Sequence, residues 1–260
     1  MPFICQYELD QRPDVELANL YQESYRFIQG CLGEKYAAPN DTDGLPDAVQ
    51  YYLIYAAALI HGAADASLTL TVHNLGREAR IVGRQIFEYW IRATYYANNP
   101  AEAKALLLSS PFTERQLLDE LGYSKHLERY KLVEQSCSMV LQNHPGFQVY
   151  RGPNLRAIVG EKNDRGVTRF YAFLYRIPSQ TIHATGAGWG TVMQEDGISF
   201  DSREPNPNID LSIEIWIILQ FLSLMNDHLA IDIGTRVEEL EKRLDEVRDR
   251  LGDDYGASEF

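Results

Sequence analysis

The stretch RFYAFLYRIPSQTIHATGAGWG, residues 169–190, gathers the residue types best suited to a site. On a helix Tyr175, Ser179 and His183 follow one another at intervals of four and form one stripe, with Arg176 beside it. Pro178 removes a backbone hydrogen bond and crowds the carbonyl of Leu174. Either Pro178 sits in the first turn of a new helix, or it bends one helix and aims Ser179 and His183 at a cleft. Freed carbonyls at such a bend need partners, which Ser179 or a water supplies. A satisfied core histidine at a helix boundary fits the same pattern.

A second stripe lies upstream, where Arg80, Arg84, Glu88 and Arg92 recur at intervals of four. Arg84 precedes Glu88, the weaker order for an intrahelical ion pair, so helix stabilisation alone is a poor reason for it. Ile81, Phe87, Trp90 and Ile91 surround these charges, which implies partial burial and a need for partners. A solvated helix face is the alternative. His61 and Asp65, four apart in a background of Ala and Leu, make a third pair. A carboxylate among alanines is rarely left alone, so Asp65 is expected to meet an arginine of the next helix.

The charge balance constrains partners. The chain of 260 residues has a net charge of −13, which disfavours a protein that coats nucleic acid. The acidity is uneven: residues 1–50 carry nine Asp/Glu against three Lys/Arg, and residues 232–260 carry ten against five. Residues 150–176 carry six Lys/Arg against two acids, a locally basic middle suited to a phosphate or carboxylate ligand, or simply a solvated face.

Several chemistries have no motif here. A helical di-metal site needs Glu-x-x-His pairs, and none occurs, so no metal or cofactor is expected. There is no Gly-x-Ser-x-Gly elbow, no Walker, kinase or dinucleotide fingerprint, and no pairing of Cys137 with a histidine that suggests a thiol nucleophile. The three cysteines, Cys5, Cys31 and Cys137, are too few and too scattered for a disulfide framework. With no signal-like N-terminus, the expectation is a reducing cytoplasm. The most apolar run, IDLSIEIWIILQFLSLMNDHLAI, is interrupted by Glu214, Gln220, Asn226 and Asp227, so it reads as a buried helix rather than a membrane span.

The elements that must position these residues are helices. Apolar spacing predicts helices over residues 14–31, from Asp47 to about Leu70, from Arg77 to Asn98, over 101–108, over 113–143 with Thr113 as N-cap, over 154–161, over 165–186, over 209–231 and over 235–251. The segments GISF and FQVY are the only weak strand candidates. The fold class is all-α, a bundle of long helices. Residues 1–45 read as an N-terminal helix and loop, 46–232 as the helical-bundle core, and 233–260 as a C-terminal amphipathic helix with an acidic tail. In that last helix Val237, Leu240, Leu244, Val247 and Leu251 form a seam that packs on the body or pairs with a second copy.

Three segments, residues 84–106, 167–188 and 212–231, together resemble an uncharacterised all-helical bacterial family, a domain of unknown function. In that family an Arg-x-x-x-Glu helix precedes a Tyr…Ser-x-x-x-His helix; the matching positions are Arg84 and Glu88, then Tyr175, Ser179 and His183. The chain also resembles HEPN domains, helical bundles of toxin and phage-defence systems whose nuclease motif is Arg, four to six residues, then His. RIPSQTIH supplies Arg176 and His183, although the residue after Arg is usually polar there and is Ile177 here. This resemblance implies a metal-independent endoribonuclease acting through the RNA 2′-hydroxyl. His183 would be its acid or base, and Arg176 or Arg84 would hold the phosphate. It also implies a homodimer, which would give the C-terminal seam a use.

Two functions follow. One is that ribonuclease, with RNA as partner and His183, Arg176, Arg84 and Ser179 as catalytic residues. The other is a non-catalytic helical protein that binds a partner or a small anionic ligand. In it Arg84–Glu88 and Ser179–His183 form a buried polar network that fixes helix register, with Tyr175, Arg80, His61 and Asp65 as further members.

Overall fold

The computed structural model describes residues 12–33, 47–122, 127–162, 167–168, 171, 193–194, 197–198, 206–229 and 231–252. Their helices are α1 (Val15–Leu32), α2 (Ala48–Val72), α3 (Gly76–Asn98), α4 (Pro100–Glu120), α5 (Glu128–Asn143), α6 (Leu155–Lys162), α7 (Pro207–Leu229) and α8 (Gly234–Leu251). The all-α bundle expected from the periodicity is what forms. The one sheet among the described residues is an antiparallel pair of two-residue strands, β1 (Met193–Gln194) and β2 (Gly197–Ile198). The GISF segment thus contributes a strand, whereas residues 147–150 of FQVY are irregular.

Helix starts follow local chemistry. The Asp14 carboxylate accepts from Leu17 N at 3.0 Å and caps α1, and Asp47 accepts from Gln50 N at 2.9 Å and caps α2. Pro100 opens α4 from its first turn, where its missing N–H costs nothing. One boundary differs from the sequence reading. The expected break at SSPFT does not occur, and α4 runs straight through Pro111. Thr113 is therefore no N-cap: its Oγ1 donates back to the Ser109 carbonyl at 3.3 Å, a bond made inside a helix. The break falls later, before α5, which packs on α4.

The core is a packed layer of α1, α2, α3 and α7. Along α7, Leu211, Ile215, Ile217, Ile218, Leu219, Phe221, Leu222 and Met225 are all fully buried, so this helix meets protein on almost every face. Trp90 and Trp216 meet edge to face at 5.5 Å between ring centroids and tie α3 to α7. Both α2 and α7 are long and apolar enough to cross a membrane, but most of the α7 window is buried inside the bundle.

The seam of α8 packs on the chain's own body. Val237, Leu240, Leu244 and Val247 are buried in the same core as α1 and α7, so a homodimer through this face would have to displace it. Charge locks the arrangement: Arg236 and Arg243 both engage Glu23 of α1, the latter at 2.7 Å, and Arg250 meets Asp14 at 2.8 Å. Truncating Leu244 to alanine should cost about 2–5 kcal/mol by cavity formation. Chemical denaturation should give the same loss at every protein concentration; a midpoint that rises with concentration would instead place the seam between copies.

Candidate functional site

Two carboxylates of α7, one turn apart, face into the bundle. Asp210 accepts from Arg80 of α3, at 2.8 Å from Nη2 and 3.2 Å from Nε. Glu214 is 1% exposed, and its Oε2 accepts from the Tyr21 hydroxyl of α1 at 2.5 Å and from Ser67 Oγ of α2 at 2.9 Å. Four helices thus converge on one acid. Its other oxygen lies against α3 at Gly83, where a Cβ would come within 1.8 Å of Oε1. Glycine is the residue type that leaves room for this carboxylate.

Burial dominates the electrostatics. It pushes Glu214 up to about 8 against the hydrogen bond from Tyr21, and the neighbouring Asp210 adds to the rise. Burial likewise lifts Asp210 to about 6 even with Arg80 beside it. Beside Glu214 the buried Tyr21 hydroxyl is held well above the usual phenol range, mainly by desolvation. At neutral pH Glu214 is therefore a carboxylic acid.

A second acid closes the loop before α6. Glu102 of α4 accepts from the hydroxyls of Tyr150 and, at 2.6 Å, Tyr95, and the Tyr150 bond is the main reason its carboxyl sits below the usual range. Tyr150 N donates to Ser109 Oγ at 2.7 Å, and Arg92 reaches the Pro153 carbonyl at 3.3 Å. Gly152, at φ 70°, lies where a Cβ would stand 2.6 Å from the Tyr96 hydroxyl, so both its conformation and its space call for glycine.

The residues singled out by sequence divide clearly. Tyr175, Arg176, Ser179 and His183, with Pro178 between them, lie outside the described residues. Arg80, Arg84, Glu88 and Arg92 do share a half-buried face of α3. On it Glu88 pairs with Arg92 at 3.1 Å, in the favourable order with the acid first, rather than standing with Arg84 alone. Asp65 accepts from the Tyr25 hydroxyl of α1 at 2.7 Å, so its partner is a tyrosine and not the expected arginine of the next helix. His61 packs its ring edge to face on that same tyrosine, 5.3 Å between centroids. Among the described residues no three His, Cys, Asp or Glu side chains gather closely enough to hold a metal ion.

The sequence reading missed Asp210, Glu214, Tyr21 and Ser67. The available signal was a pair of acids four apart in the most apolar run of the chain.

Two measurements probe this cluster. In an open helix Gly→Ala stabilises by up to about 1 kcal/mol; Gly83→Ala should instead destabilise by about 1–3 kcal/mol through overpacking, read from denaturant midpoints. The pH dependence has a definite sign. The unfolded chain releases the Glu214 proton near 4.5, whereas the folded chain holds it to about 8, so stability falls as pH rises through that window. Asp210, lifted from 3.8 to about 6, acts in the same direction over its lower part. Thermal melts of the wild type should therefore fall between those limits, and Glu214→Gln should flatten the profile.

No curated protein and no solved structure matches the chain. A family model described as Family of unknown function (DUF5677) matches residues 50–200 of the 260, more than half of the chain, which therefore belongs to that family.

Proposed function

We propose that the protein is a non-catalytic helical binding protein, a clasped bundle that offers a surface groove to a ligand. One observation carries this reading: Arg80, Asp65, Glu88 and Arg92 are engaged in contacts that join or brace helices. Arg80 meets Asp210 across α3 and α7, Asp65 meets Tyr25 across α2 and α1, and Arg92 joins Glu88 to the Pro153 carbonyl. Groups held in this way fix register and orientation. A buried ion pair of this kind is most readily understood as a specificity device. A groove between α2 and α4, about 410 Å³ and of ligand size, gives such a frame something to present.

The competing reading, a HEPN-like endoribonuclease, rests on Arg176 and His183, outside the described residues. The two readings separate in one assay. Purified protein should leave pooled RNA intact with and without EDTA, at the same background as the His183→Ala variant. Cleavage that survives EDTA and disappears in a folded His183→Ala protein would overturn the binding reading and assign a metal-independent nuclease. In the binding reading the clasp is structural, so Asp210→Ala, which removes the carboxylate that Arg80 donates to, should cost about 3–5 kcal/mol of stability.

A further inference from the structure

The groove between α2 and α4 has a composition that selects a ligand class. Its α2 wall is aromatic: Tyr51, Tyr52 and Tyr55 line it. Tyr51 is 48% and Tyr55 53% exposed, so both leave much of their ring area to solvent. Tyr52 and Tyr55 stand 6.2 Å apart with their planes tilted by 60°, so the two rings form an angled corner on this wall. Tyr96 packs against Tyr52 at 4.7 Å and braces it from behind. The opposite wall is α4, with Leu106 and Leu117 as apolar floor and Glu114 as the charged group of the lining. At one end of the groove Ala48 follows Asp47, whose carboxylate sits on the α2 N-terminus and offsets its positive dipole.

We infer that this groove binds a hydrophobic organic cation, an ammonium or quaternary ammonium head on an apolar body, with the head at the Tyr52–Tyr55 corner. Tilted phenol faces present the negative side of their quadrupoles to such a head. The leucine floor takes the body, and Glu114 supplies a formal charge within the same lining. Glu114, 34% exposed, is paired with Arg129, 67% exposed; a cation in the groove competes with that guanidinium for the carboxylate. The net charge of −13 repels organic anions from the same groove and draws cations towards it.

This inference rests on the binding reading and names its ligand, and its test separates the two. The probes are phenyltrimethylammonium, its neutral carbon isostere tert-butylbenzene, and benzenesulfonate, titrated into the full chain by calorimetry and followed by tyrosine NMR resonances. The cation should bind saturably, at least about tenfold more tightly than the isostere, and the sulfonate should not bind. Tyr55→Ala should weaken the cation about tenfold while Tyr55→Phe, which keeps the ring face, retains most of the affinity. Glu114→Gln should weaken it by a smaller factor. Both side chains are on the surface, so circular dichroism should show an unchanged fold. Equal affinity for the isostere, no saturable binding, or equal losses in Tyr55→Phe and Tyr55→Ala would each overturn the cation assignment. None of these would touch the RNA assay, so the ligand class can fail while the binding reading stands.

Discussion

A single acid placed where water cannot reach it sets the terms for the bundle. Glu214 is buried among α1, α2, α3 and α7, and each of those helices contributes to keeping it there. Tyr21 and Ser67 donate to its Oε2, and Gly83 yields the space beside Oε1. An unsatisfied polar group in such a place costs about 1–3 kcal/mol, more if charged, so a slip of any one helix by a turn is penalised. Apolar packing is tolerant of sliding; a hydrogen-bonded acid is not. The interdigitated leucines and isoleucines of α7 supply most of the driving force, and Glu214 with Asp210 selects one register among the many that driving force allows.

The same logic recurs at lower burial around the core. Asp65 with Tyr25 joins α2 to α1, Glu102 with Tyr95 and Tyr150 joins α4 to α3 and the loop before α6, and Glu23 with Arg236 and Arg243 joins α1 to α8. Tyrosine partners Glu214, Asp65 and Glu102, whereas arginine partners the buried Asp210 and the more exposed Glu23. A phenol carries its donor at the tip of a large apolar body, so it satisfies an acid while filling core volume. A guanidinium suits the α1–α8 edge, where its charge stays hydrated, and at Asp210 it supplies the opposite charge that a buried carboxylate needs. The family match over residues 50–200 includes Ser67, Arg80 and Gly83 but not Tyr21, Asp210 or Glu214, so the clasp draws on helices either side of the matched region.

Periodicity made the helices legible because a helix declares itself through residues three and four apart. The starts at residues 14 and 47 fall where apolar spacing put them, and there Asp14 and Asp47 answer their own helices' N–H groups. The continuous α4 was not. Pro111 and Thr113 look like an end and a start, and only tertiary packing of Ala103, Leu108 and Ser109 on the bundle and α5 decides that the helix goes on. The site was harder still. Arg80 was visible as a charge in apolar surroundings, yet its acid lies 130 residues away and Tyr21 lies 193 residues from Glu214, so no spacing rule connects them. Asp65 shows the limit of charge matching: its surroundings called for a partner, and chemistry alone favoured arginine over the tyrosine that topology delivers.

The clasp and the groove are the two faces of one helix, α2, and they obey opposite demands. Inward, α2 presents Ala56, Ala57, Ala63, Ala64 and Ser67, small residues that let α1, α3 and α7 approach closely enough to share Glu214. Outward, it presents Tyr51 and Tyr55, large rings left half in water. A helix optimised only for the core would not keep aromatic area exposed, because that area gains nothing from solvent and is a liability for aggregation. Tyr52 sits between the two demands, packed on Tyr96 behind and facing the groove in front. Rigidity inside bears on the proposed cation site: rings held by a fixed helix leave little order for a bound head group to impose.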